Sequence, residues 1–346
     1  MSIRDTLQRW LELKDCLASC RKVLLVTHDN PDPDSVASAA AFTLLLKSID
    51  RDVKTASGGE ISRSENRALL NSIDFKIHSL HYLDLSPFDF FLFLDSQPGS
   101  GNNSCTLPPR ARYGIVDHHI LGTEWPHQPV FTDIRENYGA TATIAWEYLG
   151  ARNLRADSSL ATALYYAIRT ETSDMGLGAA KADRKAYLSL HTKIDWDQLH
   201  QIVHSRVPAD YFRMMKVAAE GATRYEKALV VDLGETSHSD SIAEVADTFM
   251  RLEGIDWVLC WGWNRDKVMF SLRNGTVQQH AGRLARKMVG DAGSAGGHAH
   301  MAGGQLPVGE IPLAETRLRF RRTMIPEFLE TIGVHNRDGM PLMELA

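Results

Sequence analysis

The sequence predicts an α/β protein, with a first domain built on a parallel sheet and a second, smaller α/β domain with a mixed sheet. Three observations predict it. The 346 residues correspond to about two domains at ~150 residues each. Short, continuous apolar runs alternate with longer Ala- and Leu-rich segments. Runs of that length are strands buried on both faces, and their alternation with helices makes a parallel sheet with helices on both faces. Finally, three runs end on polar, metal-competent residues: VLLVT on His28, FLFL on Asp95, and GIV on Asp117-His118-His119. Open α/β sheets bind ligands at the carboxyl ends of their strands.

The elements follow in order. Residues 1–20 carry an amphipathic helical pattern, and Val23 to His28 form the first strand. Ser35 to Ile49 read as a helix with Asp34 or Ser35 placed to cap it. A strand over 52–57 and a helix over 62–73 come next, then strands over 88–96, 112–119 and 128–134 and helices over 140–151 and 158–170. This first domain spans 1–180, a helical connection 181–224, and the second domain 225–346. The second domain opens with the strand ALVVDLGE and the helix SIAEVADTFMRLEG. WVLCWGW and KVMFSLR then form a hairpin, and the alternating tryptophans read as a core strand rather than a base-stacking surface. A helix over 277–289, the Gly-rich segment DAGSAGGHAHMAGGQLP and a helix around PEFLETIG close the chain.

Composition narrows the function. The chain is 44% hydrophobic and 23% charged, so it is globular rather than disordered. Its net charge of −5 argues against coating long nucleic acid, which needs a basic surface, but leaves room for a local anion pocket. No apolar run approaches the ~18 residues of a membrane span, and the charged N-terminal segment lacks a signal-peptide pattern. Cys16, Cys20, Cys105 and Cys260 show no paired metal spacing and read as small hydrophobes in a reducing cytoplasm.

His28, Asp32 and Asp34 in THDNPDPDS form a compact hard-ligand set suited to Mn, Mg or Zn, on a loop stiffened by Pro31 and Pro33. The bland alternative is a polar turn that caps a helix. Asp95 reads alone as a turn starter. In Asp117-His118-His119, adjacent histidines point to opposite faces, so one can ligate a metal while the other meets substrate, with Asp117 orienting a ring. His28, Asp32, Asp34, Asp95 and His118 together supply five ligands from three strand ends, the donor count of a two-metal hydrolytic centre.

The order HDNPDPDS, LDS, VDHH resembles the DHH phosphoesterase superfamily, which includes RecJ-type exonucleases, family II pyrophosphatases and nano-RNase/pAp phosphatases. FSLRN followed by SAGGHAHMAGG is similar to the DHH-associated substrate-binding domain. The resemblance covers residues 20 to 305. It implies one Mn²⁺ on His28 and Asp32, a second on Asp34 and His118, and Asp95 bridging both, with Mg²⁺ as an alternative ion. It also implies Asp117 behind the ligands and His119 on the scissile phosphate or leaving group. Arg273, Gly296, Gly297 and His298 are the substrate-anchoring residues it implies, in a cleft between the domains. One position departs from the pattern: Glu171 stands where the family places a fourth Asp, so either Glu171 or Asp174 completes the second metal site. The expected activity is hydrolysis of short oligoribonucleotides, 3′-phosphoadenosine 5′-phosphate or linear products of cyclic dinucleotides. A pyrophosphatase or exopolyphosphatase, and a non-catalytic nucleotide sensor, are the rival readings. A homodimer is the common assembly of such enzymes.

Overall fold

A computed structural model describes residues 3–120, 125–176, 178–236, 240–264, 267–276, 279–297, 299–308 and 313–344. Residues 1–205 and 206–346 form two units, each with its own sheet.

In the first unit the apolar runs become parallel strands. Helix α1 (Ile3–Cys16) leads into β1 (Lys22–Val26), followed by α2 (Pro33–Lys47), β2 (Asp52–Ser57), α3 (Ser64–Ser72) and β3 (Ile77–Ser79). Then come β4 (Phe90–Leu94), β5 (Tyr113–Asp117), β6 (Phe131–Ile134), α4 (Thr141–Ala151), α5 (Ser158–Glu171), α6 (Lys181–His191) and α7 (Trp196–Val203). Among the described residues the strands form a six-stranded parallel sheet in the order β3-β2-β1-β4-β5-β6. Strand β3, three residues long, has no apolar run and left no signal in the sequence. The chain steps outward from β1 to β3 and then returns to β4 on the other side of β1. The β1/β4 boundary is therefore the switch point at which such sheets bind ligands. The register Val26↔Phe93 sets His28 level with Asp95, and Leu94↔Val116 sets Asp95 level with Asp117.

The central strands are buried on both faces, as their continuous apolar character requires. Val23, Leu25, Phe90, Leu92 and Leu94 pack with Phe42 of α2, Tyr148 of α4 and Leu164 of α5. Leu24, Val26, Phe91, Phe93, Tyr113 and Ile115 face the other way. There the cover comes from Leu80 on a single 3-10 turn and from Leu83, Leu85, Phe88, Cys105 and Leu107 on irregular segments. Helices on both faces were expected, but among the described residues only one face of this sheet is covered by α-helices. Helix α2 also starts earlier than expected. Asp32, not Asp34 or Ser35, caps it, with Oδ1 accepting the Ser35 N–H at 3.0 Å. Pro33 takes the first helical position, where its fixed φ and missing N–H cost nothing. That start leaves Asp34 in the first turn, 1% exposed.

The segment 181–224 divides between the units. Ala186 and Leu190 of α6, with Leu199 and Ile202 of α7, join the first unit's core. Helix α8 (Ala209–Glu220) contributes Ala218 to a core of the second unit. That unit continues with β7 (Ala222–Tyr225), β8 (Ala228–Glu235), α9 (Asp240–Phe249), β9 (Trp257–Asn264), β10 (Lys267–Asn274) and α10 (Ala281–Val289). It ends with β11 (Ser294–Gly297), β12 (Met301–Pro307), α11 (Leu313–Thr331) and β13 (Met340–Pro341). Seven described strands form a mixed sheet, order β11-β12-β10-β9-β8-β7-β13, with β8–β9 parallel and the other pairs antiparallel. Trp257, Leu259, Trp261 and Trp263 of β9 pack with α10 and α11, while Val258 and Cys260 pack with α9. The tryptophan run is thus a core strand. The Gly-rich segment is the β11–β12 hairpin arm rather than an open loop: a Cβ on Gly304 would lie 2.4 Å from the Phe270 ring.

Candidate metal centre

Three adjacent strand ends build the site. Past β1, the chain turns through His28 into the loop that starts α2. Past β4, Asp95 leaves the sheet at φ +57, a left-handed conformation uncommon outside glycine that costs on the order of 1–3 kcal/mol. Two hydroxyls receive the redirected carboxylate: Ser35 Oγ donates to Oδ2 at 2.8 Å and Thr141 Oγ1 to Oδ1 at 3.0 Å. Asp95 is 2% exposed and central. Its Oδ2 lies 3.7 Å from His28 Nε2, its Oδ1 3.5 Å from His118 Nε2 and 3.6 Å from His119 Nδ1. His28 Nε2 is also 3.6 Å from Asp32 Oδ1, and His118 Nε2 is 3.7 Å from Asp34 Oδ2. These separations exceed hydrogen-bond range and match ligands that share a cation rather than a proton. Among the described residues, His28–Asp32–Asp95 and Asp95–His118–His119 are groups whose ligand atoms all lie within 4.8 Å of one another.

The second half of the cluster is held from behind. His118 Nδ1 faces the Tyr138 carbonyl at 3.2 Å, which sets Nδ1 as the N–H and turns the Nε2 lone pair toward the carboxylates. Asp34 accepts backbone N–H groups of Thr141 and Ala142, both at 2.7 Å, at the N-terminus of α4. Asp117 is fully buried: Oδ1 accepts the His118 and His119 N–H groups at 2.8 and 3.1 Å and contacts His119 Nδ1 at 2.8 Å, while Oδ2 accepts Gln97 Nε2 at 2.7 Å. Glu171 ends α5, close enough to Asp32, His118, Asp95 and His119 to feel their charges. Asp174 is exposed and paired with Arg169, so Glu171 is the carboxylate that the structure brings to the cluster.

The electrostatics are those of buried carboxylates and imidazoles packed together. Burial, reinforced by Asp95 and Glu171, pushes the Asp34 carboxyl well above the usual range. Burial, then Asp32, raises Glu171 to about 7. Desolvation would depress the histidines, but neighbouring carboxylates outweigh it. Asp32 and Asp95 raise His28 to about 9, and Asp117 raises His119 to about 10. Desolvation is likewise outweighed at Asp32, which His28 lowers to about 2, and at Asp117, which His119 holds far below its ordinary value.

Of the anchoring residues expected in the second domain, Arg273, Gly296 and Gly297 lie on β10 and β11 of the second unit. Arg273 on β10 donates to Asp247 of α9, to Ser271 Oγ at 2.7 Å and to the Leu272 carbonyl at 3.0 Å. Gly296 and Gly297 pair with Gly303 and Ala302. Gly297, at φ +138, presses its carbonyl on Gly282 of α10, where a Cβ would come within 2.2 Å of it. His298 lies outside the described residues. Arg283 and Arg286 are exposed on α10. Sequence reasoning missed Ser35, Gln97, Thr141 and the Tyr138 carbonyl. Each serves a motif residue distant in the chain: the Ser35 and Thr141 hydroxyls meet Asp95, Gln97 meets Asp117, and the Tyr138 carbonyl meets His118.

An α/β protein with a carboxylate–histidine cluster at its switch point is the class that this fold and site define. The chain belongs to the DHH superfamily, with a C-terminal DHHA1 domain: residues 22–168 match the DHH family, N-terminal domain, and residues 226–320 match the DHHA1 domain. It is 27% identical over 324 residues to an uncharacterized protein of Methanocaldococcus jannaschii, covering 91% of this chain and 65% of that one. It is 23% identical to the cyclic-di-AMP phosphodiesterase GdpP of Geobacillus thermodenitrificans, covering 89% of this chain and 48% of that one. A probable manganese-dependent inorganic pyrophosphatase of Lactobacillus gasseri is 22% identical, covering 44% of this chain and 48% of that one. The chain thus spans between about half and two thirds of the length of these relatives. Its fold is shared by an exopolyphosphatase-related protein from Bacteroides fragilis, at TM-score 0.69 and 14% identity, covering 95% of this chain and 97% of that one.

Proposed function

We propose that the protein is a metal-dependent phosphoesterase acting on short nucleotides, with two Mn²⁺ ions as its working metals. The observation that carries the reading is Asp95, whose two oxygens face His28 on one side and His118 on the other. Hard oxygen and imidazole donors, with no thiolate among them, suit Mn²⁺ or Mg²⁺. On this reading His28 and Asp32 hold one ion, Asp34, His118 and Glu171 the other, and Asp95 both. Bound there, the ions supply a nucleophile near neutral pH and neutralise phosphoryl oxygens. The chain's own part is positioning and proton handling. Asp117 keeps His119 protonated through Nδ1, leaving the Nε2 proton for the leaving-group oxygen. His119 is 31% exposed, so a substrate can reach it. In this reading Arg273 grips an anionic end of the substrate, as a fork of guanidinium donors can.

The kinship to a cyclic-di-AMP phosphodiesterase supports a nucleotide substrate, and the kinship to pyrophosphatases supports inorganic phosphoanhydrides as the second reading. A hydrolysis panel on chelator-stripped protein given Mn²⁺ decides between them. It contains linear di-adenylate, 3′-phosphoadenosine 5′-phosphate, a cyclic dinucleotide, long single-stranded DNA and pyrophosphate. Product from the short nucleotides is expected. Product from pyrophosphate or long DNA alone overturns the substrate assignment, and nucleotide binding without any product overturns the enzyme assignment.

A further inference from the structure

Asp183, in the first turn of α6, is fully buried and belongs to none of the sequence motifs. Its carboxylate collects three donors from separate segments. Oδ2 accepts the N–H groups of Gly139 at 2.8 Å and Ala180 at 2.7 Å, and Oδ1 accepts the Thr143 hydroxyl at 2.6 Å. Each donor borders one half of the cluster. Gly139 follows Tyr138, whose carbonyl faces His118 Nδ1. Thr143 lies in the turn of α4 whose first N–H groups hold Asp34. Ala180 closes the segment that begins just after Glu171. The junction is tight: a Cβ on Gly139 would lie 2.7 Å from Thr172 Cγ2, 2.8 Å from Asp183 Oδ2 and 2.9 Å from the Gly178 carbonyl. No described hydrogen bond links Asp183 to His28 or Asp32; Asp32 is instead tied to the Ser35 N–H.

We propose that Asp183 is a positioning residue for the Asp34–His118–Glu171 half of the centre and leaves the His28–Asp32 half unaffected. The inference rests on the two-metal reading above. The chemistry calls for a carboxylate. Two backbone N–H groups and a hydroxyl converge on it; an amide would have to reverse the Thr143 bond and would lose the charge that strengthens the two N–H bonds.

The test is equilibrium binding of Mn²⁺ alone to the full chain, wild type against Asp183→Asn and the milder Thr143→Val, with circular dichroism and metal-free Tm as fold controls. Wild type is expected to take two ions. Asp183→Asn should keep one at wild-type affinity and weaken the other about 10–100-fold, the usual cost of losing a group that orients ligands. Thr143→Val, which removes one of the three bonds and nothing else, should weaken the same ion less and decides the matter where Asp183→Asn does not fold. Two unchanged ions in the folded variants, or equal weakening of both, overturn the role of Asp183 and leave the metal centre standing. A wild type that binds no Mn²⁺ overturns the metal centre itself, and this role with it.

Discussion

The two sheets put polar residues to opposite uses. In the first, parallel strands deliver His28, Asp95 and Asp117-His118-His119 to one edge, and Asp32, Asp34 and Glu171 join them. Burial there, with neighbouring carboxylates adding to it, raises the pKa values of Asp34 and Glu171. In the second, mostly antiparallel strands send their ends both ways, and two of the charged residues on them have partners of opposite sign. Arg273 meets Asp247, while Asp232 meets Arg317 at 3.1 Å and Arg321 at 2.8 Å. A charge with a partner of opposite sign needs no ion to offset it. A region that concentrates carboxylates at a strand edge needs protons or a bound cation to offset them.

That contrast can be broken most severely at Asp95. Asp95→Asn keeps the shape but removes the shared charge, and turnover of whichever substrate the hydrolysis panel identifies should fall by about 10³-fold with the far-UV circular dichroism unchanged. Near-normal turnover in a folded variant would contradict the two-metal assignment. Gln97 is the next lever. Gln97→Ala frees Asp117 Oδ2, and kcat should drop about 10–100-fold with KM little moved, as steady-state kinetics will show.

Arg273 sharpens the comparison from the other sheet. Arg273→Ala should raise KM about 10-fold with kcat nearly constant, and lower Tm because Asp247 loses its partner. Equal loss in kcat and KM, or no kinetic change, would remove it from substrate binding.

The smallest effect is a pH dependence of the metal-free protein. Glu171 has a folded pKa raised to about 7 against 4.5 unfolded, so the folded state binds the extra proton between these values. Stability from this group is therefore full below pH ~4.5 and lost as pH rises through ~7. Glu171→Gln should raise Tm by a few degrees at pH 8 and leave it unchanged at pH 4. A shift of the same size at both pH values would show that the carboxylate charge is not the cause.

Much of the first unit was legible because both signals are local. A buried parallel strand is a continuous apolar run, and its ligand residues follow within two or three positions, as with Val26 and His28 or Leu94 and Asp95. What escaped was non-local. Thr141 and Asp183 reach the site only through folding, with sequence separations of 46 from Asp95 and 44 from Gly139. In the second unit β11 and β12 were illegible, because the glycines that let Phe270 and α10 approach look, in sequence, like a flexible loop. The departure at Glu171 was visible in the sequence, but which of Glu171 and Asp174 turns toward the cluster depends on the left-handed turn at Ser173, Asp174 and Met175.

On the proposed function, two cations share Asp95. Crystals grown with Mn²⁺ and measured at the manganese absorption edge test it directly. Two anomalous peaks are expected, one between His28 and Asp32 and one among Asp34, His118 and Glu171, both beside Asp95. A single peak away from Asp95, or no peak at millimolar Mn²⁺, would contradict it.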